Sequence, residues 1–379
     1  MHGTWNDAVN ANIGGGLYID RGIVTLNNAR LTVNSDSVYG ANPATISTGG
    51  RLEGIGTLAI SGGSQRALNN GGVIEPGSFL NPYGTLTVQG NYRGMAGGQL
   101  IVNNVLADDG SPSSRLVIDG DSVGNNPTDV RVINHNGQGG IATSGIEFAR
   151  ITGSSTGSEF RLLPDYLGNS APNGAVVGGT TLYFMDSYLA GGDRHFVLKT
   201  LLGPDGQPVL NPSIPLYEAY PAVLMRLNRL ETLKQRVGNR SWLNNSSVSA
   251  GDFVEESRGA WLRFDGLLGR YKPSDSDTET SFDLDFGQVR FGLDFPLYQS
   301  DDDSVLMLGV STHAGKGKAD IKSTIGRAKN DVDSLGRRRC LTRDDAKRSY
   351  AAWQFKGCCY QTQRNARVLH PPHTGMSNK

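Results

Sequence analysis

Two segments of this chain, GTLAISGG (56–63) and GTLTVQGN (84–91), share the pattern Gly-Thr-Leu-x-Ile/Val-x-Gly. Within each, aliphatic residues fall at alternate positions, the period of a strand buried on one face. GIVTLNNARLTV (22–33) alternates in the same way, and GRLEGIG and GGVIEPG mark further short strands ending in turns. An imperfect repeat of about 20 to 30 residues, made of short strands and glycine turns, is the pattern of a parallel β-helix. Each rung covers the apolar face of the last. The abundant glycine, 51 residues without a Gly-X-Y period, agrees with this and excludes collagen. Tight corners require positive φ, which Gly and Asn tolerate best, so the glycines and Asn69-Asn70 read as corner residues rather than ligands.

The formal charge of zero conceals two opposite parts. Residues 336–379 hold ten Lys/Arg against two Asp/Glu, leaving 26 basic and 34 acidic residues in the first 335. No basic stripe runs through the main body, so no nucleic-acid partner is expected. All three cysteines, Cys340, Cys358 and Cys359, lie in the basic tail and provide no disulfide framework. A cysteine-free body suits an exported protein. The first residues, MHGTWNDAVNANIGGG, lack the charged and apolar regions of a signal peptide, and no apolar run is long enough for a transmembrane helix. Any membrane crossing is therefore expected through strands.

After the rungs of residues 1–95, residues 96–202 keep β character but lose the repeat. GGQLIVNNVL, SRLVIDG, TDVRVINHNG, GIEFARITG, GTTLYFMDSYLA and DRHFVLKT are longer and richer in aromatics, as a cap over a solenoid's open end would be. Residues 203–257 begin with the proline-rich break GPDGQPVLNPSIP (203–215). A helix is predicted over about 216–237, where Tyr220, Val223, Leu227, Leu230 and Val237 follow helical spacing. Pro221 is compatible with the first turn, so the helix is expected to begin near it. Over 258–335 the pattern becomes long alternating strands. Ala260, Leu262, Phe264 and Leu268 form one apolar set; Val289, Phe291, Leu293 and Phe295 another; Leu306, Leu308, Val310, Thr312 and Ala314 a third. Segments of this length, apolar on one face and polar or small on the other, match a transmembrane β-barrel. Three strands are legible, with the start of a fourth at DVDSLG (331–336); beyond it alternation stops.

The order of these parts carries a family resemblance. NPYGTLTVQGNYRGMAGGQLIVNNVLADDGSPSSRLVIDG (81–120) resembles the autochaperone region of pertactin-like autotransporters. PLYEAYPAVLMRLNRLETLKQRVGNR (215–240) is similar to the family's linker helix, and RGAWLRFDG and FGQVRFGLDFPLY to the opening strands of its translocator. The resemblance implies an all-β chain: the end of a right-handed parallel β-helix, an autochaperone cap, one linker α-helix, then a partial antiparallel outer-membrane β-barrel. It implies type V secretion, in which the barrel inserts in the outer membrane and folding of the C-terminal rungs helps draw the passenger out. The partners implied are the outer membrane and its barrel-insertion machinery, together with a host-surface ligand. Family barrels have twelve strands and end in an aromatic residue. The abrupt change at residue 336 therefore reads as a frameshift, with a genuine basic tail as the alternative, and the product, if made from Met1, is expected to stay in the cytoplasm. Rival readings are an adhesin whose projecting loops bind host surfaces, and the remnant of an autotransporter with an enzymatic passenger upstream.

No catalytic, cofactor-binding or metal-binding residue is assigned, and no small-molecule substrate is expected. GVSTHAGKGK (309–318) has Val310 where a phosphate loop needs its first glycine, and Gly317 where it needs Ser or Thr. Asp275, Asp277 and Glu279 lack the glycine and distal glutamate of a calcium loop, and Asp301–Asp303 read as a solvated turn. His135, His195 and His313 have no ligand spacing. Ser64 lacks a nucleophile elbow. Asn244-Asn245 falls after the helix, out of place for self-cleavage at paired asparagines.

Overall fold

The structure, a computed structural model, describes residues 3–5, 10–14, 16–34, 44–61, 66–78, 80–168, 171–229, 259–299, 305–344 and 350–365. Two compact units divide it, residues 1–211 and 212–379.

The first unit is a β-solenoid of about five turns. Its rungs run through β1 (Gly3–Trp5) and β2 (Asn10–Gly14), then β3 (Leu17–Ile19) and β4 (Gly22–Asn34), then β5 (Ala44–Ile46) and β6 (Gly50–Ser61). They continue through β7 (Ala67–Asn70), β8 (Val73–Pro76) and β9 (Thr85–Gln89), then β10 (Asn91–Gly94), β11 (Gln99–Asn104) and β12 (Arg115–Asp119). β13 (Thr128–Asn134), β14 (Ile146–Ile151) and β15 (Phe160–Leu162) complete it. Parallel pairing makes three faces. The first stacks β4, β6, β8, β11, β13 and β15; the second β4, β6, β9, β12 and β14; the third β3, β5, β7 and β10.

Because side chains alternate across each strand, every second residue points inward and meets its equivalent in the next rung. Val24, Leu52, Ile74, Leu100, Val130 and Leu162 form one such column, and Leu31, Leu58, Val88, Ile118 and Ile151 another. All are buried. β4 and β6 each serve two faces, so β6 must bend. It does so at Gly54, whose φ is +111° and where a Cβ would lie 1.9 Å from the Leu26 carbonyl oxygen. Only glycine fits that corner. Parallel pairing runs past residue 95, where the legible repeat ends, as far as Leu162.

Four antiparallel strands follow: β16 (Tyr166–Gly168), β17 (Ala171–Gly178), β18 (Thr181–Ala190) and β19 (Asp193–Thr200). β19 pairs antiparallel with β14 and so joins the second face.

In the second unit, α1 (Ile214–Leu227) packs on a five-stranded antiparallel sheet. The strands, in spatial as in chain order, are β20 (Gly259–Tyr271), β21 (Ser281–Gln299), β22 (Val305–Ser323), β23 (Gly326–Asp344) and β24 (Tyr350–Asn365). Two expectations need correcting. The helix starts at Ile214, with Pro215 in the first turn, where its missing N–H costs no helical hydrogen bond, and Pro221 in its interior. Pro221 removes one helical hydrogen bond, a loss offset by burial of Leu216, Ala219, Val223 and Leu227 against the sheet. The predicted continuation to residue 237 lies beyond the described residues. Among the described residues the strands also number five rather than three or four. β23 runs straight through residue 336, because alternating burial persists there although alternating hydrophobicity does not.

Candidate functional site

Two constellations stand out: the aromatic end of the solenoid and the helix-bearing face of the sheet.

At the first, β13, β14 and β15 supply the last turn, and β19 folds back beside β14. Phe148, Phe160 and Phe196 are thereby gathered with Tyr92 into one buried cluster. Phe160 lies edge-on to Phe196 at 4.8 Å between centroids and 6.1 Å from both Phe148 and Tyr92. This cluster fills the end of the column where aliphatic rungs stop. Tyr92 cannot be buried without partners for its hydroxyl; it accepts from Asn70 Nδ2 at 3.1 Å and lies 2.5 Å from Thr128 Oγ1. Burial raises its pKa, and those two hydrogen bonds only partly counter the effect.

Surface turns around this end are pinned by carboxylates. Glu159, one residue before Phe160, accepts from the backbone N–H groups of Thr156 (2.7 Å) and Gly157 (2.9 Å) and from the Thr156 hydroxyl (3.1 Å). Burial pushes its pKa up, but the donors outweigh burial and hold it below the ordinary carboxylate value. Asp109 accepts from the N–H groups of Ser144 and Gly145 at 3.3 and 2.8 Å, tying two loops together.

At the second constellation, the sheet face beneath α1 presents Phe282, Leu284, Phe286, Ala319, Ile321, Ala328 and Val332 to the helix. Glu218 of α1 accepts from Ser276 Oγ (2.7 Å) and Thr278 Oγ1 (2.9 Å), and Arg226 donates to the Tyr271 hydroxyl at 3.0 Å. Past the helix the face turns charged. Asp265 pairs with Arg263 at 2.7 Å and with Arg290 at 3.5 Å. Gln288 donates at 3.4 Å to the carbonyl of Leu227, one of the orphan carbonyls at the helix C-terminus, and Arg290 donates at 3.4 Å to the carbonyl of Arg229 just beyond it.

The opposite face of β20, β21 and β22 is exposed and apolar. Leu262, Phe264 and Leu268 are exposed on β20, Val289, Phe291, Leu293 and Phe295 on β21, and Val310 on β22. In register, Leu262 lies beside Phe291, Leu293 beside Val310, and Phe295 beside Leu308. An apolar patch of this extent is foreign to a water-exposed sheet. On β23 the same face turns basic: Arg337, Arg339 and Arg343 stand beside Thr312, Val310 and Leu306.

The other residues singled out from sequence scatter. His135 follows β13, His195 sits in β19 against Glu147, and His313 is buried in β22. Among the described residues, no group of three or more His, Cys, Asp or Glu side chains converges. GVSTHAGKGK (309–318) lies wholly in strand β22, and its Lys316 faces Asp333 at 3.6 Å. Asp275, Asp277 and Glu279 lie in the loop between β20 and β21. Ser64, Asn244-Asn245 and Asp301–Asp303 lie outside the described residues. Among the described residues, no helix is long and apolar enough to cross a membrane.

Comparison with known proteins gives these constellations a context. Residues 67–168, the aromatic-capped end of the solenoid, match the model of Autochaperone Domain Type 1. Over 339 aligned positions, 77% of this chain, the sequence is 31% identical to the adhesin BmaC autotransporter of Brucella suis. The chain belongs with the pertactin-like autotransporters. It spans only 10% of the length of that autotransporter. Two shorter matches, both from Escherichia coli K12, are the uncharacterized proteins YuaQ (36% identical, 28% of this chain and 7% of the relative) and YdeU (40%, 20% and 16%). Within an autotransporter, the capped solenoid is the autochaperone end of the passenger. The pinning carboxylates Glu159 and Asp109 were not legible beforehand, since they act on backbone N–H groups of turns that carry no motif.

Proposed function

We propose that this autotransporter chain comprises the stem of a surface passenger, an autochaperone cap, and the opening part of a translocator that exports the passenger through the outer membrane. The observation that carries the reading is the sheet with two unlike faces. One holds a helix and a charged cluster; the other is an apolar band continuous over three strands. Such a sheet suits a barrel with lipid outside and a polar lumen threaded by a helix.

The arginines on β23 support a frameshift near residue 335. On a lipid-facing strand each costs about 2–4 kcal/mol at the bilayer midplane. Arg337, Arg339 and Arg343 all occupy positions flanked by the apolar band of β22. A sheet carrying them is not expected to insert. The test is to translate the coding DNA beyond codon 330 in all three frames and to express the gene with the frame restored in Escherichia coli. A restored frame that continues apolar alternation, and a product whose solenoid is cleaved by protease added to intact cells, supports the proposal. If no frame continues the alternation, the translocator reading fails.

A second reading is adhesion. It is favoured by the relative in Brucella suis, which is named an adhesin, and it assigns to the solenoid a ligand on a host surface.

A further inference from the structure

On the first face of the solenoid, outward-pointing side chains of successive rungs link into one polar run. Thr25 Oγ1 of β4 donates to Glu53 Oε1 of β6 at 3.1 Å. Arg51 Nε donates to Glu53 Oε2 at 2.7 Å, and its Nη2 pairs with Glu75 of β8. Asn103 Nδ2 of β11 donates to Glu75 Oε1 at 3.3 Å, and Asn103 Oδ1 lies 2.8 Å from His135 Nε2, just past β13. The run crosses five neighbouring strands, roughly 19 Å at about 4.8 Å per strand.

Stapling the rungs together explains little of it. Half-exposed ion pairs contribute only a few tenths to about 1 kcal/mol each, and the inward columns already hold the stack. Nor does stapling explain the wall beside the run. Gly77, Ser78, Leu80 and Pro82, between β8 and β9, border a cavity of about 690 Å³ whose floor is the polar run. Tyr83 stands against His135, which lines the cavity, its ring edge-on at 6.0 Å. The volume falls within the range of about 300–1,000 Å³ typical of ligand sites.

The chemistry of the floor narrows the occupant. Backbone groups of β4, β6, β8, β11 and β13 are committed to the parallel ladder, so a peptide cannot add as a strand there. One arginine stands against two glutamates, so an anionic chain is disfavoured. Each carboxylate keeps lone pairs, and the arginine keeps N–H donors, beyond those used within the run. Donors and acceptors alternate at rung spacing beside an aromatic ring. That pattern matches a molecule with many hydroxyls, each both donor and acceptor, on an apolar ring.

We infer that this groove binds an uncharged oligosaccharide laid along the solenoid axis. The inference rests on the surface-binding reading of the stem. The purified full chain is titrated calorimetrically with chitohexaose, maltohexaose and lacto-N-neotetraose, and with sialylated and sulfated counterparts. At least one neutral sugar is expected to bind. Glu75→Gln and Tyr83→Ala should each weaken it tenfold or more, while circular dichroism stays that of the parent. Thr25→Val, which removes a hydroxyl at constant shape, tests the floor without risk to the fold. Failure of every neutral sugar, preference for the charged ones, or affinity unchanged in all three variants would overturn the inference. Binding is read on purified protein, so a failed export assay leaves it standing. An exported stem that binds none of these sugars sinks the groove alone.

Discussion

Phe160→Ala is the most telling perturbation of the cap. The side chain is buried, with only 3% of its surface exposed, and touches the rings of Tyr92, Phe148 and Phe196. Burying an aromatic removes about 150–250 Å² from water; at about 25 cal/mol per Å² this contributes roughly 4–6 kcal/mol. Large-to-small aromatic substitutions in cores cost about 3–5 kcal/mol, so about 4 kcal/mol is expected here. In a solenoid each rung contacts only its neighbours, so the loss should stay near the cap. Hydrogen exchange read by mass spectrometry can localise it. Protection of β14, β15 and β19 should fall about a thousandfold, while β4 and β6, several rungs away, should change little. Two outcomes would refute the reasoning. A fall of less than tenfold at the cap would mean that Phe160 does not close the core. An equal fall in β4 would mean that the unit unfolds as one cooperative block.

Other consequences are more local. Tyr92→Phe removes the hydroxyl that Asn70 and the buried Thr128 hydroxyl share and should cost about 1–3 kcal/mol, seen as a lower urea midpoint. Gly54→Ala forces a Cβ into the Leu26 carbonyl at a φ of +111° and should cost about 3 kcal/mol or more; thermal melting of the variant measures it. Glu159 has a folded pKa below its unfolded value of about 4.3. Its contribution is therefore complete above that unfolded value and vanishes as pH falls through the folded pKa. Glu159→Gln should lower cap protection at neutral pH by about 2 kcal/mol, and the difference from the parent should shrink towards the acid end of a pH series.

How far the sequence disclosed these features depended on whether neighbours in space were also regular in sequence. Rungs such as 56–63 and 84–91 were legible because inward residues recur at period two between glycine corners. The rungs formed by β10 to β15 were not, because connections such as 105–114 and 135–145 stretch the period while parallel pairing continues. The helix start was displaced because Pro215 and Pro221 both compete for the first turn, and burial of the stripe from Leu216 to Leu227 decided between them. Past residue 335, β23 continues by backbone pairing with β22 and β24, with Arg337 and Arg339 outward and Arg338 inward. A hydrophobic alternation cannot reveal such a strand. The groove was hidden for a different reason. Thr25, Glu53, Glu75, Asn103 and His135 share no spacing and become neighbours only when rungs stack.

The pairing of β14 with β19 has one more effect. β14 spends its far edge on an antiparallel partner, so no further parallel rung can be laid on that side. Growth of the stack is then possible in one direction only, towards the amino terminus. A solenoid so terminated behaves like a seed crystal with a single growing face. Once the capped end has formed, each newly available length of chain finds one template, in one register, and the structure extends without having to choose where to begin.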